Sequence, residues 1–289
     1  KARIRSGNPH VVEYFHQVED GYSHLAAQVL HALLKRYGIQ IECHLVTGPR
    51  DKNAPEPQLL LQLSRYDALH VAAEYGLEFP RHDAALNPQL VQLAERILAA
   101  QASHEFVDRA ATVGRALWAD DEATLQQLAA QYGCATVATA SERIAAGTAR
   151  REELGHYSGA MFYYGKEWYW GVDRLYHLEQ RFADLGIDRE PAAPPLVPRP
   201  GIEPAVLKDV GKLTLEIYPS LRSPYTAISF DRAVALAQDT GVNLVVRPVL
   251  PMVMRGVPAT RQKGMYIFWD TAREARAAGV PFGNFYDPI

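Results

Sequence analysis

An α/β fold containing two β-α-β units is predicted by three features of the sequence. Short β-like runs alternate with segments of helical periodicity, this alternation appears on both sides of a proline-rich stretch, and apolar residues are plentiful. With 289 residues, 48% of them hydrophobic, the chain can support two ordinary domains or one elaborated domain.

The first β-like run is His10 to His16 (HVVEYFH), which alternates as a half-buried strand does. Tyr22 to Tyr37 carries apolar residues at helical steps, and Ile39 to Val46 is β-like again, completing one β-α-β unit. From Pro57 to about Gly155 the chain is rich in Ala, Leu, Gln and Glu with three- and four-residue apolar spacing, which predicts a long helical insertion. Ala160 to Tyr164 and Trp168 to Trp170 then flank Gly165-Lys166, a tight hairpin turn, and Gly171 to Leu185 closes the region as a helix. The order β-α-β, helical insertion, β-β-α is that of a thioredoxin fold interrupted by helices. Six prolines between Arg189 and Pro204 predict an interdomain connection, since proline neither continues a helix nor fills a central strand. Beyond it come a strand (Lys212 to Tyr218), a helix (Thr226 to Thr240) and a strand (Val242 to Pro248), the second β-α-β unit.

Thirty basic and 33 acidic residues give a formal charge of −3 without a basic stripe, which argues against nucleic acid or an anionic membrane and for a small-molecule or protein partner. No apolar run is long enough to span a bilayer, and no signal-peptide core follows the basic N-terminus, so a cytoplasmic location is expected. The two cysteines, Cys43 and Cys134, form no Cys-x-x-Cys pair.

Ser223-Pro224-Tyr225 lies between a strand and a helix, where unpaired N–H groups and the helix dipole favour an anion such as a thiolate. It is followed in order by Arg247-Pro248, Pro258, Lys263, Tyr266, Asp270, Arg273, Gly279 and Pro281-Phe282. This series resembles the 2-hydroxychromene-2-carboxylate isomerase and kappa-class glutathione transferase branch of the DsbA-like thioredoxin superfamily. Trp170 to Leu175 (WGVDRL) is similar to the W-G-x-D-R-L ending of the same family. The resemblance implies a divergent tandem repeat. It comprises a DsbA-like domain at 9–188, a linker at 189–210, and the N-terminal part of a second copy at 211–289, which stops at FGNFYDPI.

By that resemblance, glutathione is the cosubstrate and Ser223 stabilises its thiolate, with Pro224 and Tyr225 shaping the turn. Lys263 and Asp173 are the further candidate glutathione contacts. The implied activity is isomerisation of, or transfer to, a conjugated, aromatic small molecule, in a protein whose relatives are often dimers. The residues themselves leave other readings open. Ser223 also suits a plain helix cap, with proline at the first helical position. Asp270 and Arg273 stand at ion-pair spacing. A non-catalytic binding protein is the main rival, and a thiol-disulfide oxidoreductase, lacking a dithiol, the third.

In the first copy, Asp20-Gly21-Tyr22-Ser23 stands where the family has Ser-Pro-Tyr-Ser, and a carboxylate there repels a thiolate. Ala160 takes the place of a cis-proline, so a trans, differently shaped loop is expected. His16, Asp20, Tyr22 and His156 are candidates for an altered acid-base or metal site, against the alternative that Asp20 is an N-cap and His156 a loop residue. The aromatic run between Tyr157 and Trp170 either packs in the core or lines a cleft.

Overall fold

A computed structural model describes residues 7–80, 85–201 and 211–283. The chain divides into two compact units, Lys1–Arg50 with Glu56–Pro200, and Asp51–Pro55 with Gly201–Ile289.

In the first unit, strand β1 (His10–His16) leads through helices α1 (Gly21–Ala27) and α2 (Leu30–Arg36) to β2 (Ile39–Leu45). Helices α3 (Pro57–Glu74), α4 (Pro88–Ala99), α5 (Ser103–Trp118), α6 (Glu122–Tyr132) and α7 (Val137–Glu153) form the insertion. The chain returns through β3 (Met161–Tyr164), β4 (Glu167–Trp170) and α8 (Leu175–Asp184). The sheet has the order β2-β1-β3-β4, with β1 parallel to β2 and antiparallel to β3. This is a thioredoxin-like fold with a helical insertion after its β-α-β half. Gly165 and Lys166 both adopt positive φ (57° and 71°), the backbone a two-residue hairpin turn demands.

Two expectations are corrected. The helix expected over Tyr22 to Tyr37 is interrupted at Gln28 and Val29, whose N–H groups reach carbonyls three residues back. There the Gln28 amide donates to the Glu78 carbonyl (2.8 Å) and accepts from the Glu78 N–H (3.0 Å), a tertiary contact that helical spacing does not encode. The proline-rich stretch is no free spacer over 189–200. Arg36 and Asp188, each with a side chain 6% exposed, pair through two bonds of 3.0 and 2.9 Å, and the same guanidinium donates to the carbonyls of Ala193 and Pro194. The buried Glu179 carboxylate accepts the N–H groups of Leu196 (2.7 Å) and Val197 (2.8 Å) together with the Tyr37 hydroxyl (2.7 Å). Prolines leave few N–H groups on this segment, and these contacts satisfy two that remain. Residues 202–210 of the expected linker, and 284–289 of the second copy, lie outside the described residues.

The second unit contains β5 (Thr214–Ile217), α9 (Pro224–Thr240), the parallel strand β6 (Asn243–Val246) and α10 (Arg261–Ala278). Its frame repeats that of the first unit 203 positions later. Leu215 faces Leu244 as Val12 faces Ile41. Val249 N–H donates to the Pro219 carbonyl as Val46 N–H does to that of His16, both at 2.9 Å. Ser220 N–H reaches Thr226 Oγ1 (3.2 Å) as Gln17 N–H reaches Ser23 Oγ (3.1 Å). Tyr225 donates to Asp270 as Tyr22 donates to Asp67, both at 2.7 Å.

Replacing Arg36 by methionine removes the partner of the half-buried Asp188 carboxylate and the donors to the proline segment, so urea denaturation should show a loss of about 1 to 3 kcal/mol from the first unit. A loss within about 0.5 kcal/mol would mean that the clamp does not fasten the proline segment.

Candidate functional site

Strand β1 ends at His16, and the chain turns through Gln17 to Asp20 into α1. Asp20 is the N-cap, accepting from the Ser23 N–H (3.0 Å) and the Ser23 hydroxyl (2.9 Å) through one carboxylate oxygen. The same hydroxyl oxygen accepts from Gln17 N–H (3.1 Å) and from Ala160 N–H (2.9 Å), so Ser23 ties the first turn to the loop before β3. Ala160 is fully buried with φ +53°, a left-handed conformation that is unfavourable for a residue with a side chain. Its N–H bond to Ser23 and its carbonyl bond from Gly171 N–H (2.8 Å) hold it there. Two glycines permit the close approach. A side chain at Gly159 would meet Gln17 Cβ at 2.6 Å, and one at Gly21 would meet Ala68 Cβ at 2.8 Å, on α3.

A cavity of about 380 Å³ opens beside this turn, walled by Asp20, Tyr22, Leu60, Leu61, Ser158 and Trp170. Glu19, Arg50 and Glu95 add charge to its lining. An adjoining hollow of about 420 Å³ shares Glu19, Leu61 and Glu95. Asp20 is 7% exposed, and burial raises its carboxyl to about 6 despite the opposing Ser23 bonds. Glu95 is raised by burial and then by the Glu19 charge. Burial, the bond to Asp67, and the charges of Asp67, Asp20 and Asp173 push the Tyr22 phenol upward. Three carboxyl groups against one guanidinium give this lining an excess of acidic side chains.

Of the four altered-site candidates, Asp20 and Tyr22 line the cavity, while His16 and His156 are absent from its walls. Tyr14 donates to the Ser23 carbonyl (2.9 Å), so its oxygen accepts from His16 Nδ1 (2.9 Å), and the imidazole packs edge-on against Phe106. His156 accepts from Ser158 N–H (3.2 Å) through Nδ1 and stacks on Tyr157. The expected meeting of both histidines with Asp20 at one reaction centre is thus corrected: strand end and loop direct the imidazoles into packing. Asp173 sits in a short 3-10 turn, paired with Arg174 at 2.6 Å, and is likewise absent from the walls. Most of the aromatic run is core, with Phe162, Tyr164 and Tyr169 buried, whereas Trp170 reaches the cavity.

In the second unit, Ser223 is the N-cap of the 17-residue α9, with Pro224 at the first helical position, as expected for a cap. Its oxygen accepts from Thr226 N–H at 3.5 Å. Tyr225 donates to Asp270, which also accepts from Arg273 (2.8 Å), the ion pair that the i, i+3 spacing predicts. Lys263 is half-buried on the first turn of α10. Ser223, Tyr225 and Lys263 stand 203 positions after Asp20, Tyr22 and Leu60, which all wall the first unit's cavity.

The cysteines are both free thiols, and burial raises that of Cys43, which opposes redox chemistry there. Glu13, Glu42 and His44 bring possible metal-ligating atoms within 4.8 Å of one another, but Arg150 holds both oxygens of Glu13 at 2.8 Å and supplies the cation itself. No helix among the described residues is long and apolar enough to cross a membrane.

No protein-family profile matches the chain, and no curated protein matches it. Among solved structures it is similar to a 2-hydroxychromene-2-carboxylate isomerase, at 22% identity and a TM-score of 0.45 over 61% of this chain and 96% of that one. It is similar also to a putative protein disulfide isomerase from Nitrosomonas europaea (18%, TM-score 0.43, 62% and 97% covered). A third is the cytosolic disulfide reductase DsbM from Pseudomonas aeruginosa with GSH (16%, TM-score 0.40, 61% and 97% covered). These are likenesses of fold.

Burial holds His16, His24 and His156 neutral down to about pH 3. An unfolded imidazole titrates near 6.5, so the unfolded chain binds more protons between those values, and stability falls as pH drops through the window. Asp20 acts oppositely. Its folded value of about 6 lies above the ordinary 3.8, so its contribution is lost as pH rises toward 6. The unfolding free energy from urea titration should fall from about pH 6.5 to pH 4, by up to about 1.4 kcal/mol per pH unit for each histidine, and His24→Leu should flatten the slope. A slope unchanged in that variant would assign the acid sensitivity elsewhere.

Ser23→Ala removes one hydroxyl that serves Asp20, Gln17 and Ala160 together. A loss of about 1 to 3 kcal/mol is expected in chemical denaturation, and a neutral result would exclude Ser23 as the tie between turn and loop.

Proposed function

We propose that the protein is a cytoplasmic glutathione-dependent enzyme, an isomerase or transferase of a conjugated, aromatic small molecule, and that Ser223 stabilises the glutathione thiolate. The observation that carries this reading is the state of the Ser223 hydroxyl. Its oxygen accepts the Thr226 N–H, and among the described residues no acceptor takes its proton, which leaves that proton to donate to a sulfur at the N-terminus of a 17-residue helix. The equivalent position in the first unit is a buried carboxylate, which repels a thiolate. A charge-assisted hydrogen bond with a helix terminus supplies about 2 to 4 kcal/mol, enough to bring a thiol from about 8.5 to roughly 6 or 7.

The recurrence of one frame at a constant interval supports a tandem repeat of thioredoxin-like units. It also supports Ser223, Tyr225 and Lys263 facing one hollow, since their counterparts do so in the first unit. In that arrangement Lys263 offers an ammonium to a glutathione carboxylate. The thiolate adds to the conjugated double bond, forming a carbon–sulfur bond and sending the electron pair into the conjugated system. Rotation about the resulting single bond and expulsion of the thiolate then give the other isomer. Ser223 activates the sulfur and forms no covalent bond.

Calorimetric titration of glutathione separates this role from simple capping. Ser223→Ala removes both the cap and the donor, with a stability loss of about 0.5 to 2 kcal/mol, whereas Ser223→Asp keeps a cap and places a negative charge against the sulfur. Both variants should bind glutathione about tenfold or more weakly and lose its thiol proton release. Wild-type binding by a folded Ser223→Asp variant, or no binding by the parent chain at millimolar glutathione, would overturn the proposal.

A further inference from the structure

We propose that the cavity of the first unit is a separate binding site for an organic cation, an ammonium on an aromatic or aliphatic body, with Asp20 as its counter-charge. The argument starts from the cavity itself: a space of about 380 Å³ with apolar walls at Val18, Leu60 and Leu61 and aromatic ones at Tyr22 and Trp170. That volume and lining suit a small organic molecule rather than a bare ion. Asp20 lies 93% out of solvent at its wall, and among the described residues no cation pairs with it. Its hydrogen bonds come from Ser23, the Tyr22 N–H and the Ser64 side chain, all uncharged groups, and leave the charge unneutralised. Buried charges in folded proteins are ordinarily paired, so a buried carboxylate without a counter-charge at the wall of an open cavity favours a cationic ligand there.

The remaining charges define the same preference. Glu19 and Glu95 also line the cavity, against a single exposed guanidinium from Arg50. Glu95 feels the Glu19 charge, and Tyr22 feels those of Asp20, Asp67 and Asp173, so negative potential gathers on the side where Asp20 stands. Tyr22 and Trp170 present aromatic walls to that space, and a ring face attracts an ammonium. The apolar walls would take the body of the ligand while its ammonium meets Asp20. A thiolate or other anion is excluded by the same field, so this site and the one proposed at Ser223 select opposite charges.

The test is calorimetric titration of the full chain at about pH 7.5 with benzylamine and 4-phenylbutylamine, beside benzyl alcohol and 4-phenylbutanol as neutral counterparts. At least one amine should bind saturably, and its alcohol about tenfold or more weakly. Asp20→Asn, which retains a good N-cap, should reduce amine affinity about tenfold or more, and Glu95→Gln, on the half-buried face of α4, should reduce it by about threefold. Ser223→Ala should leave amine binding unchanged, which separates this site from the glutathione reading. Equal binding of amine and alcohol, wild-type affinity in a folded Asp20→Asn variant, or no saturable binding of either amine up to about 10 mM would overturn the proposal. Should Asp20→Asn not fold, wild-type amine affinity in Glu95→Gln would overturn it equally.

Discussion

The first unit depends on the hydroxyl of Ser23. One oxygen accepts from the residue after β1 and from the loop before β3, and its proton goes to the N-cap carboxylate of α1. Strand end, helix start and returning loop are thus fixed by one atom, next to the turn that lines the cavity. Ala160 keeps its left-handed backbone for the same reason: both of its main-chain polar groups are bound, one of them to Ser23. A hydroxyl suits this task because it accepts twice and donates once within the small space that Gly159 leaves beside it.

The second unit uses the same frame with different chemistry at its first turn. Threonine stands where the first unit has Ser23, and its oxygen accepts the Ser220 N–H in the equivalent bond. Serine stands where the first unit has Asp20. A carboxylate can only accept at neutral pH, whereas a hydroxyl can accept from the helix and still donate outward. That single difference inverts the charge each turn would hold, and it underlies both functional proposals: a thiolate at Ser223 and an ammonium at Asp20.

The contacts of the proline-rich stretch show how composition misleads about position. Prolines suggest a stiff spacer, yet they also reduce the number of N–H groups that must be satisfied when a segment is laid against a folded surface. Arg36 and Glu179 lie in helices on the two sides of the insertion, and each gathers backbone groups of this segment around a buried charge. Here the ionic groups fasten a segment that has little regular structure of its own.

Much of this protein was legible from local pattern. Apolar spacing marked β1, β2 and the insertion helices, the Gly165-Lys166 pair marked its hairpin, and Ser223-Pro224 marked the start of α9, because each of these is set by interactions within a few residues. The suitability of Asp20 as the N-cap of α1 was equally visible. The tertiary structure alone decided that His16 and His156 turn into packing rather than toward Asp20, that α1 and α2 separate at Gln28, and that residues 189–200 bind to the first unit. It alone brought Glu95, from the second helix of the insertion, to the same cavity as Asp20. In sequence Glu95 looks like any solvated glutamate on an amphipathic helix. Convergence of charges from distant elements depends on how helices pack over the sheet, and periodicity specifies which face of a helix is buried but not which side chains meet across the space it encloses.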